Sequence, residues 1–130
     1  MYLYERGDGR FKHCWSRPYA GFEPKYDGQP LQGQVGKCSS KINDTRAQEL
    51  LDDGIEVRDD RNDEHPSCIY NVFEGVPYEA VPTQYDKSYH GYPWQGRMPK
   101  WVLKELRTRA WNEGFRDTFE KWVETYGNRR

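Results

Sequence analysis

The stretch from Pro99 to Tyr126 constrains the fold more than any other, because large apolar side chains recur there at helical spacing. Pro99 suits the first position of a helix, and Gly114 and Gly127 suit the positions that follow one. The spacing predicts a helix over about 99–113 and a second helix ending near Tyr126. The apolar positions are Val102, Leu103, Leu106 and Ala110 in the first helix, and Phe115, Phe119, Trp122, Val123 and Tyr126 in the second.

Aromatic side chains must supply much of the core that these helices cover. Only 35% of the 130 residues are hydrophobic, but 15% are aromatic, with ten Tyr, five Trp and five Phe. Disordered chains are poor in aromatic residues, so this composition favours a folded protein. The length is typical of one domain, and we expect a single domain over residues 1–130.

Charge is balanced overall but uneven along the chain. The formal net charge of −1 gives no global electrostatic reason to expect a nucleic-acid or membrane partner. Nine acidic and three basic residues lie between Asp44 and Glu64, whereas five basic residues and one acidic residue lie between Arg97 and Arg109. Two interpretations follow: a solvated acidic loop and a solvated basic helix face, or a true basic binding surface.

The sequence predicts a soluble, cytoplasmic protein. No run approaches the ~18 consecutive apolar residues that span a bilayer, and residues 1–7 lack the apolar run of a signal peptide. The three cysteines, Cys14, Cys38 and Cys68, are odd in number and widely spaced. We therefore expect reduced thiols and no membrane partner.

The first third of the chain contains one strand signal and one broken segment. Tyr2 and Tyr4, and then Phe11, His13 and Trp15, alternate on either side of a Gly-Asp-Gly turn, which predicts an N-terminal β-hairpin. Residues 17–36 carry many prolines and glycines, and we expect a long surface loop there.

A short helix is predicted over Thr45–Gly54. Thr45 and Gln48 match a capping box, and Gly54 suits a left-handed C-terminal cap. The charged residues 56–66 that follow are expected to be an exposed loop.

Three strands are predicted between this loop and the C-terminal helices. Residues 68–73 are rich in strand formers, Glu74-Gly75 can turn the chain, and residues 76–81 and 88–92 can return antiparallel. The whole order predicts the α+β class, with a small antiparallel sheet, formed by the N-terminal hairpin and a meander, packed against the C-terminal helices.

One functional hypothesis is a binding module with an aromatic-rich surface. Aromatic residues cluster near the end of the meander, and basic residues begin the next helix, a combination used by interfaces. The near-zero net charge favours a protein partner, although single-stranded nucleic acid could stack on such rings. The alternative is that the rings fold inward as core. The predicted surface comprises Tyr85, Tyr89, Tyr92, Trp94, Lys100, Lys104 and Arg107.

The alternative hypothesis is a small, toxin-type ribonuclease that needs no metal. Cleavage through the 2′-hydroxyl requires a general base and a general acid, and His13 and His90 titrate near neutrality. Glu79 is expected on the strand beside that of His90. The simpler interpretation is that His13 is a half-buried strand residue and Glu79 is merely exposed.

No metal or cofactor site is predicted. The three histidines and three cysteines include no Cys-x-x-Cys pair and no paired His spacing on a helix. Gly-rich phosphate loops and dinucleotide-binding fingerprints are also missing from the sequence. No motif covers enough of the chain to transfer a function from a known family.

Overall fold

A computed structural model of the protein describes residues 2–4, 16–24, 34–84 and 88–127. Within these ranges, no helix combines the length and apolar character needed to cross a bilayer. The strands are β1 (Leu3–Tyr4), β2 (Gly21–Pro24), β3 (Gln34–Lys37), β4 (Ile55–Val57), β5 (Cys68–Phe73), β6 (Val76–Gln84) and β7 (Ser88–Pro93), and the helices are α1 (Asp44–Asp52), α2 (Lys100–Asn112) and α3 (Arg116–Tyr126).

Five strands form one sheet in the order β1-β7-β6-β5-β4, and β2 and β3 form a separate pair. The β1–β7 pairing is parallel, and the other strand pairs are antiparallel. Helix α2 packs on β5, α3 packs on β6, and α1 contacts β1 and β5. The predicted α+β class is confirmed. The return strand of the predicted N-terminal hairpin, over 11–15, lies outside the described residues.

The predicted meander of β5, β6 and β7 is confirmed, and its first turn explains its register. Glu74 and Gly75 both have positive φ angles, of 50° and 85°, which is the backbone of a tight two-residue hairpin. The turn pairs Phe73 with Val76 and, further along, Tyr70 with Glu79.

The two predicted C-terminal helices are also confirmed, and their apolar faces form the core. Pro99 is the N-cap residue of α2, and Gly114 has φ +88° just after it. The fully buried Val102, Leu106 and Phe119 belong to the main cluster, with Trp94 and Trp122 beside them.

Strands β2, β3 and β4 were not predicted. The predicted loop over residues 17–36 contains β2 and the start of β3. Phe22 of β2 packs on Trp122 and Tyr126 of α3, and this contact outweighs the weak strand propensity of proline and glycine. Strand β4 lies in the predicted charged loop, where pairing with β5 orders it and leaves Glu56 exposed.

The capping of α1 differs from the prediction. Its N-cap is Asn43, whose Oδ1 accepts a hydrogen bond from the Arg46 N–H at 2.8 Å. Gln48 instead joins β1 to α1, since its side-chain oxygen accepts from the Tyr4 N–H at 2.8 Å. Gly54 does not adopt a left-handed conformation; a Cβ there would lie 2.3 Å from Cγ2 of Ile69, so close packing requires the glycine.

Gly75 and Gly114 both have positive φ angles, and comparing them tests the packing of the β5–β6 turn against α3. At Gly75 a Cβ would lie 2.8 Å from Thr118 and 2.9 Å from Phe115, whereas at Gly114 nothing lies within 4 Å. Gly114→Ala should lower the free energy of unfolding by about 1–2 kcal/mol through backbone strain alone. Gly75→Ala should lower it by about 1–3 kcal/mol more through the steric clash. Urea unfolding would measure both, and equal losses would contradict the close contact between the β5–β6 turn and α3.

Candidate functional site

The described aromatic residues of the predicted binding surface are not all exposed. Tyr89 and Trp94 have only 0% and 2% of their surface exposed, so they belong to the core and the expectation that they form a binding surface is corrected. The Tyr89 hydroxyl donates a hydrogen bond to the Pro66 carbonyl at 2.7 Å, which satisfies its polar atom inside the protein. Tyr92 is half-buried and takes part in the cluster described below, and Tyr85 lies outside the described residues.

Two exposed tryptophans lie on α2, where 59% of Trp101 and 46% of Trp111 is accessible to solvent. Lys104 and Thr108 lie between them and are exposed as well. Spacings of three and four residues place these four side chains on one side of the helix. We call Trp101, Lys104, Thr108 and Trp111 the α2 outer stripe.

The three predicted basic residues have different surroundings. Lys100 and Lys104 are exposed, and neither forms an ion pair within the part of the chain that the structure describes. Arg107 is committed to α3, because its Nε and Nη2 donate to the two carboxylate oxygens of Glu120 at 2.8 and 3.2 Å. Lys100 and Lys104 are therefore the cations of this group that a partner could contact.

The two ends of the α2 outer stripe differ in how firmly their rings are held. The Arg116 guanidinium lies 4.5 Å from the centre of the Trp111 ring, and the Trp111 Nε1 donates to Glu120 at 3.2 Å. Hydrogen bonds from Arg107 and, to a lesser extent, Trp111 lower the pKa of Glu120 below its usual value. Trp101 has no hydrogen bond or ring contact within the described residues.

A second group of polar side chains converges on Glu79 in the main sheet. The Tyr70 hydroxyl donates to Glu79 Oε2 and the Tyr92 hydroxyl to Glu79 Oε1, each at 2.7 Å, and the Cys68 Sγ lies 3.6 Å from Oε2. Tyr70, Glu79 and Tyr92 are direct cross-strand partners on β5, β6 and β7, so the sheet register brings them together. We call Cys68, Tyr70, Glu79 and Tyr92 the Glu79 cluster.

Burial and the Glu79 carboxylate keep the other members of this cluster protonated. Desolvation is the largest cause that raises the pKa of both Tyr70 and Tyr92, and the interaction with Glu79 raises it further. Desolvation, followed by the charge of Glu79, raises the pKa of Cys68 to about 11. The cluster therefore offers neutral hydrogen-bond donors around a carboxylate, and its thiol is a poor nucleophile at neutral pH.

The structure bears on one part of the ribonuclease hypothesis. Glu79 lies on the strand beside that of His90, as expected from the meander. The pairs Val81–His90 and Glu79–Tyr92 place the two residues on the same face of these strands. The Nδ1 of His90 lies 2.7 Å from the Thr83 hydroxyl oxygen. His13 lies outside the described residues, so the association of the two histidines stays a prediction.

Two further features of the described residues concern metal binding and the cysteine side chains. The described residues include no group of three or more His, Cys, Asp or Glu side chains placed to hold a metal ion. Cys38 is buried, with its Sγ 3.9 Å from the Gly91 carbonyl oxygen, and Cys68 is half-buried, with its Sγ 3.6 Å from Glu79 Oε2. Cys14, which completes the cysteine set, is outside the described ranges.

A small apolar cavity of about 50 Å³ lies between α1 and the sheet. Ala80 and Gly91 are cross-strand partners on its wall; Ala80 has only a methyl side chain and Gly91 has none, which leaves this space open. Its wall includes Ile42, Ala47, Leu51, Ile69, Ala80 and Gly91.

Sequence reasoning missed Trp101 and Trp111 as surface residues. A signal was present, because neither tryptophan falls on the apolar face formed by Val102, Leu106 and Ala110. Comparison of the chain with protein-family models, curated proteins and solved structures finds no match.

The reactivity of Cys68 tests the electrostatics of the Glu79 cluster. With a pKa of about 11, only about one thiol in a thousand is ionised at pH 8. Alkylation of Cys68 by iodoacetamide, followed by mass spectrometry, should be slow at pH 8 and should still accelerate above pH 10. Glu79→Gln removes one cause of the shift and should speed alkylation at pH 8. A rate that levels off near pH 9 in the wild type would contradict the assigned environment.

The Arg107–Glu120 pair predicts a dependence of stability on acid pH. Because the folded pKa of Glu120 lies below its ordinary value of 4.5, the pair stabilises the protein at neutral pH and loses this effect as pH falls through the lowered folded pKa. Glu120→Gln should cost less than about 1 kcal/mol at pH 7, since both side chains are more than a third exposed. Urea unfolding from pH 7 to pH 3 should show the two proteins converging, whereas Glu124→Gln on the same helix should leave the pH profile unchanged.

Proposed function

We propose that the protein is a binding module, that its partner is another protein, and that the α2 outer stripe together with Lys100 forms the contact surface. The observation that carries the proposal is the exposure of Trp101, at 59%, on a helix whose other face is fully buried. Tryptophan is enriched at protein interfaces and among the residues that contribute most binding energy.

The buried contacts on the opposite side of α2 favour a preformed surface at the α2 outer stripe. Val102, Leu106 and Ala110 are completely buried on the opposite side of α2, so the helix is held against the core. The Arg107–Glu120 pair ties α2 to α3 as well. A surface on a fixed helix loses little conformational freedom on binding, which favours affinity.

The charge around Trp101 favours a partner with acidic side chains. Lys100 precedes Trp101 and Lys104 lies one turn after it, and both ammonium groups are exposed. Carboxylates on a partner protein could pair with these lysines while an apolar side chain covers the indole ring. Such complementarity increases the association rate and the specificity of a complex.

A nucleic-acid partner is less well supported by the same region. Residues 100–126 carry six basic and five acidic side chains, whereas a nucleic-acid surface needs a clear basic excess. Three of the six cations are already engaged: Arg107 with Glu120, Arg109 with Glu105, and Arg116 with the ring of Trp111. Base stacking on the exposed tryptophans is the alternative that a binding assay must distinguish.

The proposal can be tested by site-specific crosslinking. A photoreactive benzoylphenylalanine at position 101 should crosslink one protein in an extract of the source cells. The same group at Leu3, which is 58% exposed on β1, should not crosslink that protein. With the captured protein purified, Trp101→Ala should weaken binding about tenfold or more, and Leu3→Ala should leave it unchanged.

Two results would contradict the proposed function. One is equal affinity of the wild type and the Trp101→Ala protein for the captured partner. The other is binding of a labelled single-stranded oligonucleotide that depends on Trp101 and Lys104, which would identify nucleic acid as the ligand of this surface. The ribonuclease hypothesis has its own test, which is cleavage of single-stranded RNA in EDTA by the wild type and by His90→Ala.

A further inference from the structure

The Glu79 cluster shares no residue with the proposed protein interface, and we propose that it binds the primary ammonium group of a ligand. The ligand would place its –NH₃⁺ group against the Glu79 carboxylate, between the hydroxyl groups of Tyr70 and Tyr92. The charge, accessibility and hydrogen-bond geometry of this cluster support such a ligand, and none of these features involves α2.

Glu79 differs from several other glutamates in having no basic partner among the described residues. Glu74, Glu105 and Glu120 each pair with a basic side chain, at 3.2, 3.6 and 2.8 Å. Among the described residues, no Lys, Arg or His forms an ion pair with Glu79. Its hydrogen-bond donors are two phenols and the Cys68 thiol, which stabilise a carboxylate without neutralising it. A half-buried negative charge that no described basic side chain pairs with attracts a cation.

Three of the four residues of the Glu79 cluster are only partly buried. These are Glu79, Cys68 and Tyr92, whereas Tyr70 is buried, with 4% of its surface exposed. A small group can therefore reach the carboxylate from solvent. Val81 follows two residues after Glu79 on the same strand face and provides an apolar neighbour for the alkyl part of a ligand.

The acceptor positions of Glu79 select the kind of cation. Oε1 accepts one hydrogen bond from Tyr92, and Oε2 accepts one from Tyr70 and lies 3.6 Å from the Cys68 Sγ, so the carboxylate does not present the open pair of positions that a bidentate guanidinium uses. An ammonium group is a compact charge with three donors and needs only one such position. Among the described residues, no third His, Cys, Asp or Glu side chain joins Glu79 and Cys68 to form a group that could hold a metal ion.

The experiment uses n-butylammonium chloride as the probe and 1-butanol as its uncharged counterpart. Two-dimensional NMR of the full chain at constant ionic strength should show saturable shifts of Glu79 and Tyr92 with the amine only. Glu79→Gln keeps the shape of the side chain and removes its charge, and it should weaken binding about tenfold or more. Glu113→Gln makes the same charge change in the exposed α2–α3 connection and should leave binding unaltered.

The proposal is overturned if butanol produces the same shifts as butylammonium, or if the Glu79→Gln protein binds the amine as well as the wild type does. If Glu79→Gln fails to fold by circular dichroism, Glu79→Asp decides the question. That variant keeps the charge but draws the carboxylate back from the two hydroxyl groups, so it should weaken the binding of butylammonium. Equal affinity of the wild type and a folded Glu79→Asp protein would overturn the proposal.

The same titration can distinguish a lysine side chain of a partner protein from a small free amine as the source of the ammonium group. N-acetyl-lysine amide carries its only charge on the side-chain amine. Tighter binding of this compound than of butylammonium would support a lysine of a partner protein as the natural ligand. Weaker binding, with butylammonium still bound at Glu79, would support a small free amine.

Discussion

The contact between Trp94 and Trp122 joins the sheet to the C-terminal helices, and much of the structure depends on it. The Trp122 Nε1 donates to the Trp94 carbonyl at 2.8 Å, and the Trp94 Nε1 donates to the Arg97 carbonyl at 2.9 Å. The Trp94 N–H also donates to the Pro77 carbonyl at 2.9 Å. Large rings can be buried without an energetic penalty only when their N–H groups find acceptors, and here both indoles do.

This buried contact accounts for the surface on α2. Once Trp94 and Trp122 hold α3 and the start of α2 at the end of β7, the apolar positions of α2 face inward and its remaining positions face solvent. Trp101 and Trp111 are therefore exposed because other, larger contacts decide the rotation of the helix. Trp111 is then held by Arg116 and Glu120, which leaves Trp101 as the more available of the two tryptophans for a partner.

The Glu79 cluster arises from a different constraint, which is the register of the meander. The two-residue turn at Glu74 and Gly75 sets β5 against β6, and the next pairing sets β6 against β7. A shift by one residue would send Tyr70 or Tyr92 to the opposite face and leave Glu79 without its donors. The cluster and the α2 surface are thus independent products of the same fold, one made by strand register and the other by helix packing.

The sequence alone predicted the elements whose signal is local. Helical spacing after Pro99, the turn at Glu74-Gly75 and the strand-rich run before it led to the C-terminal helices, the meander and the α+β class. Tertiary contacts decided the rest: Phe22 packing on α3 orders a segment rich in proline and glycine, and pairing with β5 orders β4. The same contacts bury Tyr89 and Trp94 and gather Tyr70 and Tyr92 around Glu79. These outcomes depend on residues far apart in the chain, whose distances no local period encodes.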